Sequence, residues 1–166
     1  MSDGAAAFWR FSLAIYARPG VAPACLVLQD RHGRDVNLML FCCWLGAGGR
    51  GRLDRAALDG ADRAVAGWRQ EVVEPFRAAR RAIKAAALPE SDGIYAKAKA
   101  VELEAERLLQ RRLAERAPPE NVGLSTERRL ADALANLELY VGDAPAAPIV
   151  EALKAMAETD FATAPA

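Results

Sequence analysis

Apolar residues along this chain recur at the spacings of helices. Phe8, Phe11, Ser12 and Ile15 make one stripe, with Trp9, Leu13 and Tyr16 beside it. A first helix over residues 5–17 is therefore expected to be buried around more than half its circumference. Arg18-Pro19-Gly20 stops it, because proline and glycine break the helical ladder. A second helix follows, with Pro23 in its first turn, and runs to about His32. Gly33 suits the left-handed position after a helix end. Asp35 is placed to cap a third helix, in which nine of the ten residues from Val36 to Leu45 are apolar, Asn37 being the exception. A helix that is apolar all round belongs at the centre of a fold. The glycine-rich run 46–51 is expected to end it.

The fourth pattern is the longest, over residues 55–87. Leu58, Ala61, Val65, Trp68, Val72, Phe76, Ala79 and Ile83 form one stripe, and Pro75 inside it predicts a kink near Val72. Residues 88–93 read as a turn. A fifth helix spans 94–116 and stops at Pro118-Pro119. A sixth starts behind Ser125, with Leu130, Leu134, Leu137 and Val141 on one face. The last, over 147–158, carries Ile149, Leu153 and Met156, and the tail 159–166 is expected to fray. The pattern predicts an all-α, single-domain bundle of six or seven helices over residues 5–158, built around the hydrophobic helix at about 36–45.

Composition supports that class. The 37 Ala and 19 Leu far outnumber 4 Ile, 10 Val and 3 Thr, and β-branched residues are the ones strands favour. Lys plus Arg and Asp plus Glu number 22 each, which makes a general nucleic-acid-binding protein an unlikely reading. The balance is nevertheless polarised. Residues 50–84 hold nine basic and five acidic side chains, whereas 120–166 hold three and eight. Cys25, Cys42 and Cys43 form no disulfide framework and sit in apolar surroundings, where cysteine packs as a small hydrophobe. The start of the sequence lacks the pattern of a signal peptide, and the densest apolar run is about half the length needed to cross a bilayer. These features predict a cytoplasmic, bacterial protein with no membrane insertion.

Two polar clusters are candidate sites. The first lies between the second and third helices and offers Gln29, Asp30, His32, Asp35 and Asn37. His32 is the one histidine of the chain and the natural acid or base of an enzymatic or small-molecule site here. Structural roles compete for the same residues: Asp35 as cap, Asn37 bonded to neighbouring backbone, His32 filling the last turn. The second cluster is a basic ridge of Arg77, Arg80, Arg81 and Lys84 along the fourth helix, suited to phosphate, an acidic partner or a nucleic-acid backbone, or to a solvated face or pairing with Glu102, Glu104 and Glu106. Glu102 and Glu106 lie four apart on one face, but without the Glu-x-x-His elements of a di-iron bundle they read as salt-bridge partners, not metal ligands. No phosphate loop, dinucleotide fingerprint, zinc-protease or nucleophile-elbow motif is present. No catalytic residue, metal or cofactor is assigned. Trp9, Trp44 and Trp68 all fall on apolar stripes and are expected in the core.

Taken together, Phe8-Trp9-Arg10-Phe11-Ser12-Leu13 with Tyr16, Leu28-Gln29-Asp30, His32-Gly33, Asp35-Val36-Asn37 and Phe41–Leu45 resemble a small proteobacterial family of conserved, uncharacterised proteins. Trp68, Pro75-Phe76-Arg77, Arg80-Arg81, Lys84, Glu102-Leu103 and Glu106 extend the likeness, which covers roughly residues 8–140. The resemblance implies a helical cytoplasmic domain of unknown function and brings no site residues with it. From the residues themselves, the leading expectation is a non-enzymatic interaction or adaptor protein that presents the ridge to an acidic protein partner. The alternative is a small-molecule or enzymatic site at 29–37 with His32 as acid or base. Oligomeric state is left open.

Overall fold

The computed structural model describes residues 3–162. Among them the helices are α1 (Asp3–Tyr16), α2 (Val21–His32), α3 (Val36–Ala47), α4 (Arg55–Trp68), α5 (Glu74–Ala86), α6 (Asp92–Ala114), α7 (Thr126–Val141) and α8 (Ala147–Ala157). A π-helical turn, Arg69–Val73, joins α4 to α5, so these form one kinked helix of 32 residues, and the described residues make a bundle of seven helices without strands. The local signals account for most boundaries. Gly33 closes α2 at φ 60°, the Asp35 carboxylate accepts from Leu38 N at 2.9 Å, and Ser125 caps α7 through Arg128 N. The turn expected over 88–93 is shorter, a single 3-10 turn at Pro89–Ser91.

The expected central helix is at the centre: every residue of α3 from Asn37 to Ala47 is buried. Its C-terminal end differs from expectation, because Gly46 does not stop the helix but lies inside it. A side chain there would stand 2.1 Å from Ala133 N, so the missing Cβ lets the backbone of α7 press directly on α3. Phe8 stacks on Trp44 with centroids 5.0 Å apart and meets Phe41 edge-on at 5.7 Å. Trp44 is core, but Trp9 and Trp68 are only half-buried, each lying under an arginine, Arg107 and Arg112 respectively. In the tail expected to fray, residues 159–162 are described. Phe161 is buried and Arg129 lies over its ring, while residues 163–166 of that expected tail lie outside the described residues.

The largest departure concerns the long stripe. Leu58, Ala61 and Val65 are buried as expected, but α5 buries none of its residues, and Phe76 and Ala79 are exposed. A π turn accommodates one extra residue within an α-helix, which advances the inward phase by one position, or about 100°. Beyond it Val73 is the fully buried position, and Arg77 and Arg80 replace Phe76 and Ala79 on the inner side. Pro75 has no N–H for the carbonyl four residues earlier and crowds it with its ring. Widening the preceding turn relieves that crowding.

Candidate functional site

The phase shift brings the two polar clusters together. α1, α2, the start of α3, α5 and α6 enclose a cleft of about 620 Å³. Its floor is a chain of buried polar side chains: Ser12 Oγ donates to Gln110 Oε1 at 3.0 Å, and Gln110 Nε2 donates to Asn37 Oδ1 at 2.8 Å. Asn37 thus bonds across the fold and not to neighbouring backbone. One wall is apolar, with Trp9, Leu13, Leu26, Leu40 and Leu103. Leu13, Tyr16, Leu26 and Leu103 at its rim are 40–50% exposed, an apolar patch of the kind that marks a binding surface.

The opposite wall is charged. Arg77 Nη2 donates to Glu106 at 2.7 Å and its Nε to Glu102 at 3.3 Å. Arg80 bonds the same Glu102 through both Nε and Nη2. The Glu102 side chain is only 7% exposed, and an unpaired carboxylate would be costly there. These arginines therefore supply what its burial requires, as the salt-bridge reading of Glu102 and Glu106 anticipates. Burial pushes the Glu106 carboxyl above its ordinary value, against the opposing pull of Arg77. Burial likewise raises the Tyr16 phenol, helped by Cys25 and Glu106 and opposed by Arg77 and Arg80. Arg81 bonds Asp30 at 2.9 Å with both side chains about half exposed, a contact worth little in water. Arg77, Arg80, Arg81 and Lys99 face only Glu102 and Glu106 among the charged lining residues, so the lining carries a positive excess.

A smaller, polar cavity of about 390 Å³ adjoins, sharing Gln29 and Arg77 with the first. Arg69 ties its wall together through Asp62 at 2.6 Å and Asp35 at 3.6 Å. The Tyr140 hydroxyl accepts from Asp35 N at 2.7 Å and donates to Asp35 O at 3.2 Å.

Of the sequence-derived candidates, Gln29, Asn37, Arg77, Arg80 and Arg81 line the main cleft, and Gln29, Asp35 and Arg77 line the polar one. Asp30 holds Arg81 at the rim. His32 is exposed and lines neither cavity, because the last turn of α2 projects it outward. Lys84 is exposed and lines neither as well. Sequence reasoning missed Ser12, Tyr16 and Gln110, which lie on or beside apolar stripes and carry no motif. Among the described residues no group of three His, Cys, Asp or Glu is placed to hold a metal ion, and no single helix is long and apolar enough to cross a membrane.

A family model described as "Protein of unknown function (DUF2390)" matches residues 7–113. The chain belongs to this family. The matched stretch contains every residue lining the main cleft, whereas Tyr140 of the polar cavity lies beyond it, as does the C-terminal part of the likeness read over residues 8–140. No curated protein and no solved structure matches the chain.

Proposed function

We propose that this protein binds a small organic anion with an apolar body in the main cleft. The observation that carries the reading is the lining itself: an apolar wall, a hydrogen-bonded polar floor and a basic excess meet in one concavity. Its volume lies within the roughly 300–1,000 Å³ typical of small-molecule sites. The acidic partner expected for the ridge becomes, on this reading, an acid small enough to enter. Arg77 and Arg80 are turned inward and held by Glu102 and Glu106, which leaves Arg81 at the rim and Lys84 as the outward part of that ridge. His32 has no part in this reading, and no bond-making step is assigned.

The test is titration of the purified protein with 8-anilinonaphthalene-1-sulfonate, an aromatic anion, followed by its fluorescence and by calorimetry. Saturable one-to-one binding is expected, weakened by about tenfold in Lys99→Glu and Arg81→Glu, a change equivalent to ~1.4 kcal/mol. Absence of saturable binding, or binding indifferent to both charge reversals, refutes the reading.

A further inference from the structure

Glu102 and Glu106 share the cleft wall unequally. Glu102 is bonded by two guanidiniums, whereas Glu106 is bonded by Arg77, which it divides with Glu102. The groups that act on Glu106 are Arg77 on α5, Glu102 on its own helix, Asp35 at the N-cap of α3 and Tyr16 on α1, with Cys25, Arg80, Arg81 and Lys99 elsewhere in the same lining. Two of these are carboxylates, and the Tyr16 phenol beside it is neutral. The arrangement is balanced only while Arg77 serves Glu106.

We propose that an organic anion enters this cleft together with a proton, which Glu106 takes up. The inference rests on the anion-binding reading above. An anion drawn to the basic wall competes for Arg77 and places a further negative charge beside Glu106. Like charges at close range in a half-buried site disfavour the ionised carboxylate, and Glu106 is already the carboxyl that burial pushes upward. Protonation converts the carboxylate to a carboxyl. It frees the Arg77 guanidinium for the anion and leaves the charge of the cleft unchanged on binding. The proton comes from solvent buffer, and no bond other than O–H forms. By linkage, affinity falls as pH rises above the value at which free Glu106 ionises, by at most about tenfold per pH unit for one proton.

The experiment uses the full chain and the same sulfonate probe, which stays ionised throughout. Calorimetric titrations at a series of pH values from the ordinary carboxylate range upward, in buffers of different ionisation enthalpy, are expected to show proton uptake that peaks at up to about one proton. Glu106→Gln is expected to abolish the uptake and flatten the affinity between about pH 5 and pH 8. His32→Ala, outside the cleft, keeps both. Saturable binding with no buffer dependence overturns the proposal while leaving the anion site standing, as does uptake that survives in Glu106→Gln. No saturable binding removes the anion site and the proposal with it. Should Glu106→Gln not fold, the buffer series on the wild type and on His32→Ala still decides.

Discussion

Replacing Gly46 by alanine is the sharpest test of how the core is assembled. The added Cβ would meet Ala133 N at 2.1 Å, its Cα at 2.4 Å and Asp132 C at 2.5 Å. All three are backbone atoms, so no side chain can swing aside. To reach ordinary contact, which begins near 3.4 Å, α3 and α7 must separate by about 1 Å. A gap of that size forfeits a quarter to a half of each contact across it. A buried leucine makes about 40–60 contacts of ~0.1–0.2 kcal/mol. With about a third of them crossing the seam, two such side chains lose ~1–3 kcal/mol. The Asn136 Nδ2 to Cys42 O bond, now 3.2 Å, also passes beyond hydrogen-bonding range. That leaves one Asn136 Nδ2 hydrogen without its acceptor, the other still serving Gly51 O, and a buried donor left so costs ~1–3 kcal/mol. We expect a total loss of about 3–4 kcal/mol, a large fraction of the ~5–15 kcal/mol of a typical domain. Urea denaturation followed by circular dichroism measures it. Gly60→Ala is the internal reference: it lies inside α4 with nothing within 4 Å of its added Cβ, and it should gain ~0.5–1 kcal/mol. A loss below about 1 kcal/mol for Gly46→Ala, or equal behaviour of the two variants, would falsify the close-approach argument.

Three further outcomes follow from the same geometry. Deleting Glu71, exposed within the π turn, together with Pro75→Ala, which removes the ring that the widened turn accommodates, closes that turn into a regular α turn and keeps Val73, Arg77 and Arg80 on their present faces. Its melting temperature should stay within about 4 °C of the parent, whereas deleting the exposed Glu104 from the unbroken α6 rotates Leu109 and Leu113 off the core and should abolish cooperative melting. Burial pushes the Cys25 and Cys42 thiols up to about 12 and Cys43 well above its ordinary value. None of the three should therefore react with a disulfide reagent at about pH 8 until the chain unfolds, and a rapid stoichiometric reaction in native buffer would contradict their burial. Because folding raises the Glu106 carboxyl, the folded state holds its proton more tightly than the unfolded one. The associated stability is fully present below the ordinary carboxylate range and is lost as pH rises through the raised value. Urea titrations across that interval should show the wild type losing stability relative to Glu106→Gln as pH increases, and a difference independent of pH would refute the assignment.

The rim residues also bear on the proposed reading of the cleft as a binding site. Leu13, Tyr16, Leu26 and Leu103 surround a polar floor whose members satisfy one another. Burying Ser12, Asn37 and Gln110 is tolerated because each finds a partner. A fold selected for stability alone has no need of such a floor beneath an opening, since apolar side chains of similar volume serve as well or better.

The sequence by itself determined the elements, because their signals are local. Periodicity marked six or seven helices, Asp35 and Ser125 marked starts, Gly33 marked an end, and a stretch with one polar residue in ten marked the central helix. It also determined that Gln29, Asn37 and the arginines of the fourth pattern were worth attention, since polar groups beside apolar stripes must be accounted for. What it could not determine was which face of α5 turns inward. That depends on a single residue absorbed in the π turn, and a 3.6-residue period carries no memory of such a shift. Nor could local pattern show that Asn37 finds Gln110, 73 residues along the chain, or that Gly46 is a contact and not a stop. Those are decided where helices meet, and their consequence is that Arg77 and Arg80, expected on an outward ridge, close the wall of a cleft.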